Sequence, residues 1–66
     1  MIHTDFFSGE GYNYDEAMKE LELEVNHTIR TVGIKHKDII TYQVEKKCDR
    51  EKSYYKCEAT LSYWKD

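Results

Sequence analysis

From Asp38 to Lys65 apolar and polar residues alternate with a period of two, interrupted once by a run of charges. Ile40, Tyr42 and Val44 alternate with Thr41, Gln43 and Glu45, and the same period returns as Tyr55, Cys57, Ala59, Leu61 and Tyr63. Such alternation marks strands with one buried and one wet face. The run Asp49-Arg50-Glu51-Lys52 between them is too short for a crossover, so the strands are expected to form an antiparallel hairpin. With no Gly or Asn in the run to take a left-handed conformation, the turn type stays open. The hairpin commits the chain to a sheet, and the residues before it have to cover its apolar face.

Charges suggest a register. With Cys48 opposite Ser53, the core face pairs Val44 with Cys57, Tyr42 with Ala59 and Ile40 with Leu61. The outer face then pairs Glu45 with Lys56 and Thr41 with Thr60. Moving the partner strand by two residues sets Lys47 against Lys56 and Glu45 against Glu58. Each such like-charge pair costs about a few tenths of a kcal/mol or more, so the first register is expected.

Residues 2–7 read as a first strand whose two phenylalanines supply core, and Ser8-Gly9-Glu10-Gly11 reads as a flexible corner. The glycines lack the third glycine and the lysine of a phosphate cradle, and Glu10 would repel phosphate. Asn13 is a preferred N-cap, and Glu16 three residues later makes a capping box. Ala17, Met18, Leu21, Val25, Thr28, Ile29 and Val32, with Tyr14, recur at helical spacing on one stripe, and Gly33 with Ile34 fits a Schellman-type stop. The helix, 14–32, would span about 28 Å, close to the length of a ten-residue strand. On its wheel Glu20 and Glu24 line one border of the stripe, Asp15 and Glu22 the other, and Leu23 points away.

The expected fold is therefore α+β, strand-helix-strand-strand, with one helix on a three-stranded, mainly antiparallel sheet in a single domain over residues 1–66. The first strand could pair with the second through a parallel crossover or with the third in an all-antiparallel sheet. The long alternation of the third strand favours placing it in the middle.

At 66 residues the chain buries only about 60% of the surface that its unfolded form exposes. Small domains in that position often gain stability by self-association, so a homodimer or larger homo-oligomer is expected. Charge is polarised: residues 1–25 carry seven acids against Lys19 alone, and residues 26–66 carry nine bases against six acids. The start carries neither the basic nor the apolar region of a signal peptide, and no apolar run reaches membrane length, so a cytoplasmic protein without membrane contact is expected.

No constellation specifies a reaction. Cys48 and Cys57 lie about 13 Å apart along the expected hairpin, beyond disulfide reach, and read as free thiols. His3, His27 and His36 lack the local spacing of a zinc site. The helix carboxylates sit on solvated borders without a pocket to shift their pKa, so no catalytic residue, metal or cofactor is assigned. Tyr54 and Trp64 share the outer sheet face, with Lys47, Lys56 and Ile39 beside them. Aromatics interleaved with bases suit single-stranded nucleic acid, but Glu45, Glu58 and the net charge of -3 oppose it, and a protein interface fits better. Glu20, Leu23, Glu24, Tyr54, Lys56 and Trp64 are the candidate partner-binding residues.

The second half, with Asp38-Ile39-Ile40-Thr41-Tyr42-Gln43-Val44, then Cys48, Tyr54-Tyr55-Lys56-Cys57 and Tyr63-Trp64-Lys65, resembles the small sporulation-associated proteins of endospore formers and their phages, a family without known function. The element order, with Ser8, Tyr12 and Asp15-Glu16-Ala17 opening the helix, also resembles dodecins, flavin-binding proteins that assemble into hollow shells. Dodecins carry a flavin-stacking tryptophan near the start of the second strand, where this chain has Asp38-Ile39-Ile40, so flavin binding is not implied. The expected function is a small, non-enzymatic, oligomeric protein-interaction module, such as a phage-encoded or regulatory inhibitor of a host protein. The alternatives are a dodecin-like ligand-binding oligomer and a nucleic-acid-binding sheet surface.

Overall fold

The computed structural model describes residues 1–49 and 54–66, and for Cys48 and Asp49 the backbone alone. The elements are β1 (Ile2–Gly11), α1 (Tyr14–Val32), a short 3-10 turn (His36–Asp38), β2 (Ile39–Asp49) and β3 (Tyr54–Trp64). One helix packs on a three-stranded antiparallel sheet of order β1-β3-β2, the expected α+β fold with the last strand in the middle. The expected turn lies outside the described residues apart from the backbone of Asp49.

The helix begins and ends where local chemistry dictates. Asn13 is extended and its side-chain oxygen accepts from the Glu16 amide at 2.9 Å, while the Glu16 carboxylate accepts from the Tyr12 amide at 2.9 Å. The first bond satisfies an amide that the first turn leaves without a helical partner, and the second ties the residue before the cap to the helix. At the other end Gly33 takes φ 79°, and the amides of Gly33 and Ile34 both donate to the Ile29 carbonyl, at 2.9 and 3.0 Å. This is the Schellman-type stop.

β1 runs through the stretch Ser8–Gly11 that reads as a corner in the sequence. Gly9 is buried beneath the helix, where a Cβ would lie 2.5 Å from both the Ala17 carbonyl oxygen and the Leu21 amide. A glycine that suggests a bend is instead the point where helix and strand backbones approach most closely. Around it Ala17, Leu21, Val25, Cys57 and Ala59 form the core, with Phe7, Met18, Ile29 and Tyr55 packed against it.

The hairpin register is the one the opposed charges disfavour. Val44 pairs with Ala59, Tyr42 with Leu61, Glu45 with Glu58, and Lys47 with Lys56. Other neighbours supply opposite charge: Lys47 Nζ lies 3.5 Å from the Glu58 carboxylate diagonally, and Lys56 Nζ lies 3.7 Å from Glu58, two residues along β3, and 4.0 Å from Glu10, its direct partner on β1. Each like-charge pair is flanked by an opposite charge, which offsets the expected penalty. The shift also places Cys48 diagonal to Cys57, about 7–8 Å away rather than 13 Å. The buried Cys57 thiol is free.

A second difference concerns cover. Ile40, Tyr42 and Val44 read as core, yet they are 50%, 44% and 36% exposed. The helix lies against β1 and β3. A helix about 10 Å across covers roughly two strands spaced about 4.8 Å apart, so the third is left open.

Gly9→Ala is expected to lower stability by about 1–3 kcal/mol, because the clash is with helix backbone and cannot be relieved by a rotamer change. Gly33→Ala, with open space around its Cβ, should cost only the left-handed conformation, about 1–2 kcal/mol. Thermal unfolding followed by circular dichroism measures both; a Gly9→Ala protein as stable as the parent would contradict the close contact.

Candidate functional site

The six candidate partner-binding residues occupy three separate places. Glu20 and Glu24 face β1 across an open groove lined also by Phe6, Ser8, Glu16 and Lys19. Leu23 is exposed on the solvent side of the helix. Tyr54, Lys56 and Trp64 all lie on the outer sheet face, but Tyr54 and Trp64 are the two ends of β3, about 33 Å apart. Lys56 is held between Glu10 and Glu58. Lys47 and Lys56 therefore offer phosphate little unbalanced positive charge.

Sequence reasoning missed Ile2 and Phe6 as surface groups. Ile2 pairs with Trp64 across the β1–β3 ladder, and on the bare outer face Phe6 is 78% and Trp64 53% exposed. Consecutive phenylalanines in a strand must point to opposite faces, which was the available signal. Phe7 goes inward and Phe6 outward.

The ladder also fixes which backbone groups are free. Met1 and Lys65 exchange two hydrogen bonds, Lys65 N to Met1 O at 2.8 Å and the Met1 amine to Lys65 O at 2.9 Å. Hydrogen-bonded and non-bonded pairs alternate in an antiparallel ladder. His3, Asp5, Phe7, Gly9 and Gly11 therefore bond to β3, and Ile2, Thr4, Phe6, Ser8 and Glu10 direct their N–H and C=O groups to the free edge. By the same alternation Thr41, Gln43, Glu45 and Lys47 bond to β3, and Tyr42, Val44 and Lys46 face outward from β2. The β1 edge is bordered by the carboxylates of Glu10, Glu16, Glu20 and Glu24, with Lys19 among them, Lys56 beside Glu10, and Glu16 accepting the Tyr12 amide.

Comparisons with models of protein families, with curated proteins and with solved structures find no match to this chain. The surfaces therefore have to be read from their own chemistry.

Two further features lie on the helix side of the sheet. A hollow between α1 and β2 is lined by Glu22, Val25, Ile29, His36, Tyr42 and Leu61, and most of its surface is apolar. At the far end Tyr63 is buried, donates its hydroxyl proton to Asp5 Oδ2 at 2.9 Å, and packs against the His3 ring at 5.4 Å between centroids. Asp5 Oδ1 accepts from His3 Nε2 at 3.1 Å. Among the described residues no group of three or more potential metal ligands comes together, and no helix is long and apolar enough to cross a membrane.

Burial, and then the bond to and charge of Asp5, push the Tyr63 pKa above its ordinary value, and burial with the charge of Glu22 does the same to Tyr42. Folding thus favours the neutral phenol. Its contribution is fully present below the unfolded value of about 10 and is lost as pH rises towards the folded pKa. In a spectrophotometric titration Tyr63 should ionise above the ordinary phenol range, and Tyr63→Phe should flatten the alkaline fall in stability. An alkaline limb unchanged by Tyr63→Phe would show that Tyr63 does not set it.

Proposed function

We propose that this chain is a small non-enzymatic, oligomeric protein-interaction module, acting as a regulatory inhibitor, that takes a basic extended segment of another protein onto the free edge of β1. The carrying observation is the coincidence, on one edge, of outward-facing backbone groups from Ile2 to Glu10 with the acidic border of Glu10, Glu16, Glu20 and Glu24. Strand addition draws affinity from main-chain hydrogen bonds and selectivity from the side chains beside the edge. Here the carboxylates favour Lys or Arg in the incoming segment and disfavour an acidic one. Phe6, and Ile2 with Trp64, give the outer side of that segment an apolar contact. Of the candidate residues, Glu20, Glu24 and Trp64 thus belong to the proposed surface, while Leu23, Tyr54 and Lys56 lie outside it.

The hollow beside Tyr42 favours a second reading, a small apolar ligand bound between α1 and β2. Native mass spectrometry of the purified protein, showing a retained small molecule, would support that reading over the first.

The test of strand addition is an NMR titration with short peptides alternating Lys and Val. Amides of Thr4, Phe6 and Ser8 should shift, with affinity falling as salt is raised and by about tenfold in Glu20→Lys/Glu24→Lys. Shifts confined to other elements, or none at millimolar peptide, would overturn the reading.

A further inference from the structure

The open strand β2 has a different character from the β1 edge. Its helix-side residues Tyr42 and Val44 are uncovered, Ile40 is exposed at the register irregularity, and among the described residues no strand lies beside the outward backbone groups of Tyr42, Val44 and Lys46. A register irregularity lies between Ile39 and Thr41, and from Thr41 to Asp49 the pairing with β3 is regular.

We infer that β2 is the homodimer interface: it pairs antiparallel with β2 of a second copy of this chain about a two-fold axis at Val44, joining two sheets into one of six strands. The inference rests on the reading of the chain as an oligomeric module and names the surface that makes it one.

Symmetry and chemistry converge on this register. Outward-facing residues must meet outward-facing residues, and centring on Val44 pairs Thr41–Lys47, the longest run of the regular strand that opposes no like charges. Val44 then meets Val44 of the second copy, and Tyr42 meets its Lys46. On the outer face Gln43 meets Glu45 and Thr41 meets Lys47. None of these opposed pairs carries like charges, whereas centring on Lys46 sets two lysines face to face, and centring between Val44 and Lys46 opposes two Glu45 carboxylates.

The helix side supplies the complementary charge. Glu22 borders Tyr42 in the hollow, so the second copy's Lys46, arriving opposite Tyr42, comes towards that carboxylate. Lys46 already lies 5.6 Å from the centroid of the Tyr14 ring, so it would bridge an aromatic of its own helix and one of the second copy. A like-with-like β1 pair is opposed by electrostatics, because it would bring together two rows of Glu10, Glu20 and Glu24.

Analytical ultracentrifugation over a concentration series should give a dimer, twice the chain mass of 7.9 kDa. Val44→Lys, at a position exposed in the monomer, should retain the circular dichroism spectrum but weaken dimerisation by about tenfold or more. Ser8→Lys on β1 should leave dimerisation unchanged. In a mixed-label dimer, an intermolecular NOE between the α-protons of Gln43 and Glu45 should report the register.

A wild-type chain monomeric at every concentration would overturn both this interface and the oligomeric reading. A dimer insensitive to Val44→Lys, one broken by Ser8→Lys, or assemblies larger than two would overturn the interface alone. An NOE from Gln43 to a residue other than Glu45 would overturn the register.

Discussion

The contact on which the fold turns is that between Gly9 and the backbone of α1. With no Cβ at Gly9, the helix settles onto β1 with the Ala17 carbonyl and the Leu21 amide where a side chain would otherwise stand. Ala17 on the helix and Ala59 on β3 keep the rest of that contact shallow. The helix is thereby placed over β1 and β3, and its width leaves β2 without cover. Two consequences follow from one absent methyl group: a small dense core over β1 and β3, and an apolar strip of β2 left open on the same face of the sheet.

What could be read from the sequence was whatever local chemistry decides alone. Asn13, Glu16 and Gly33 act on groups within a turn of themselves, so both helix ends are legible. The period of two in β3 is legible because that strand is buried on its helix face along its length and sits between two neighbours. The hairpin register was not, because opposed charges are only part of the field. Lys47 finds Glu58 diagonally, and Lys56 finds Glu10 on a strand from the far end of the chain. Gly9 misleads for a related reason: a glycine required by a helix above it looks, in sequence, like a glycine required by a bend.

The candidate surface was legible in part. Glu20 and Glu24 were identified as one border of the helix, and they do border the β1 groove. Their companions Ile2 and Phe6 were not, since strand parity tells which face a residue takes but not whether that face is bare. Alternation in β2 misled in the opposite direction, because an apolar face promises burial only if something is wide enough to cover it. The two sheet edges then differ in charge and in apolar content, which separates the surface proposed for a basic segment from the one proposed for a second copy.

The placement of β3 also governs how the chain folds. The strand at the centre of the sheet is the last in sequence, and its pairing with β1 joins Ile2 to Trp64 across nearly the whole chain. The hairpin can zip locally, but β1 and α1 have no sheet to complete until β3 is present. The core therefore closes only when β3 pairs with β1. Closure then requires a long loop, which slows folding relative to a helical protein of the same size.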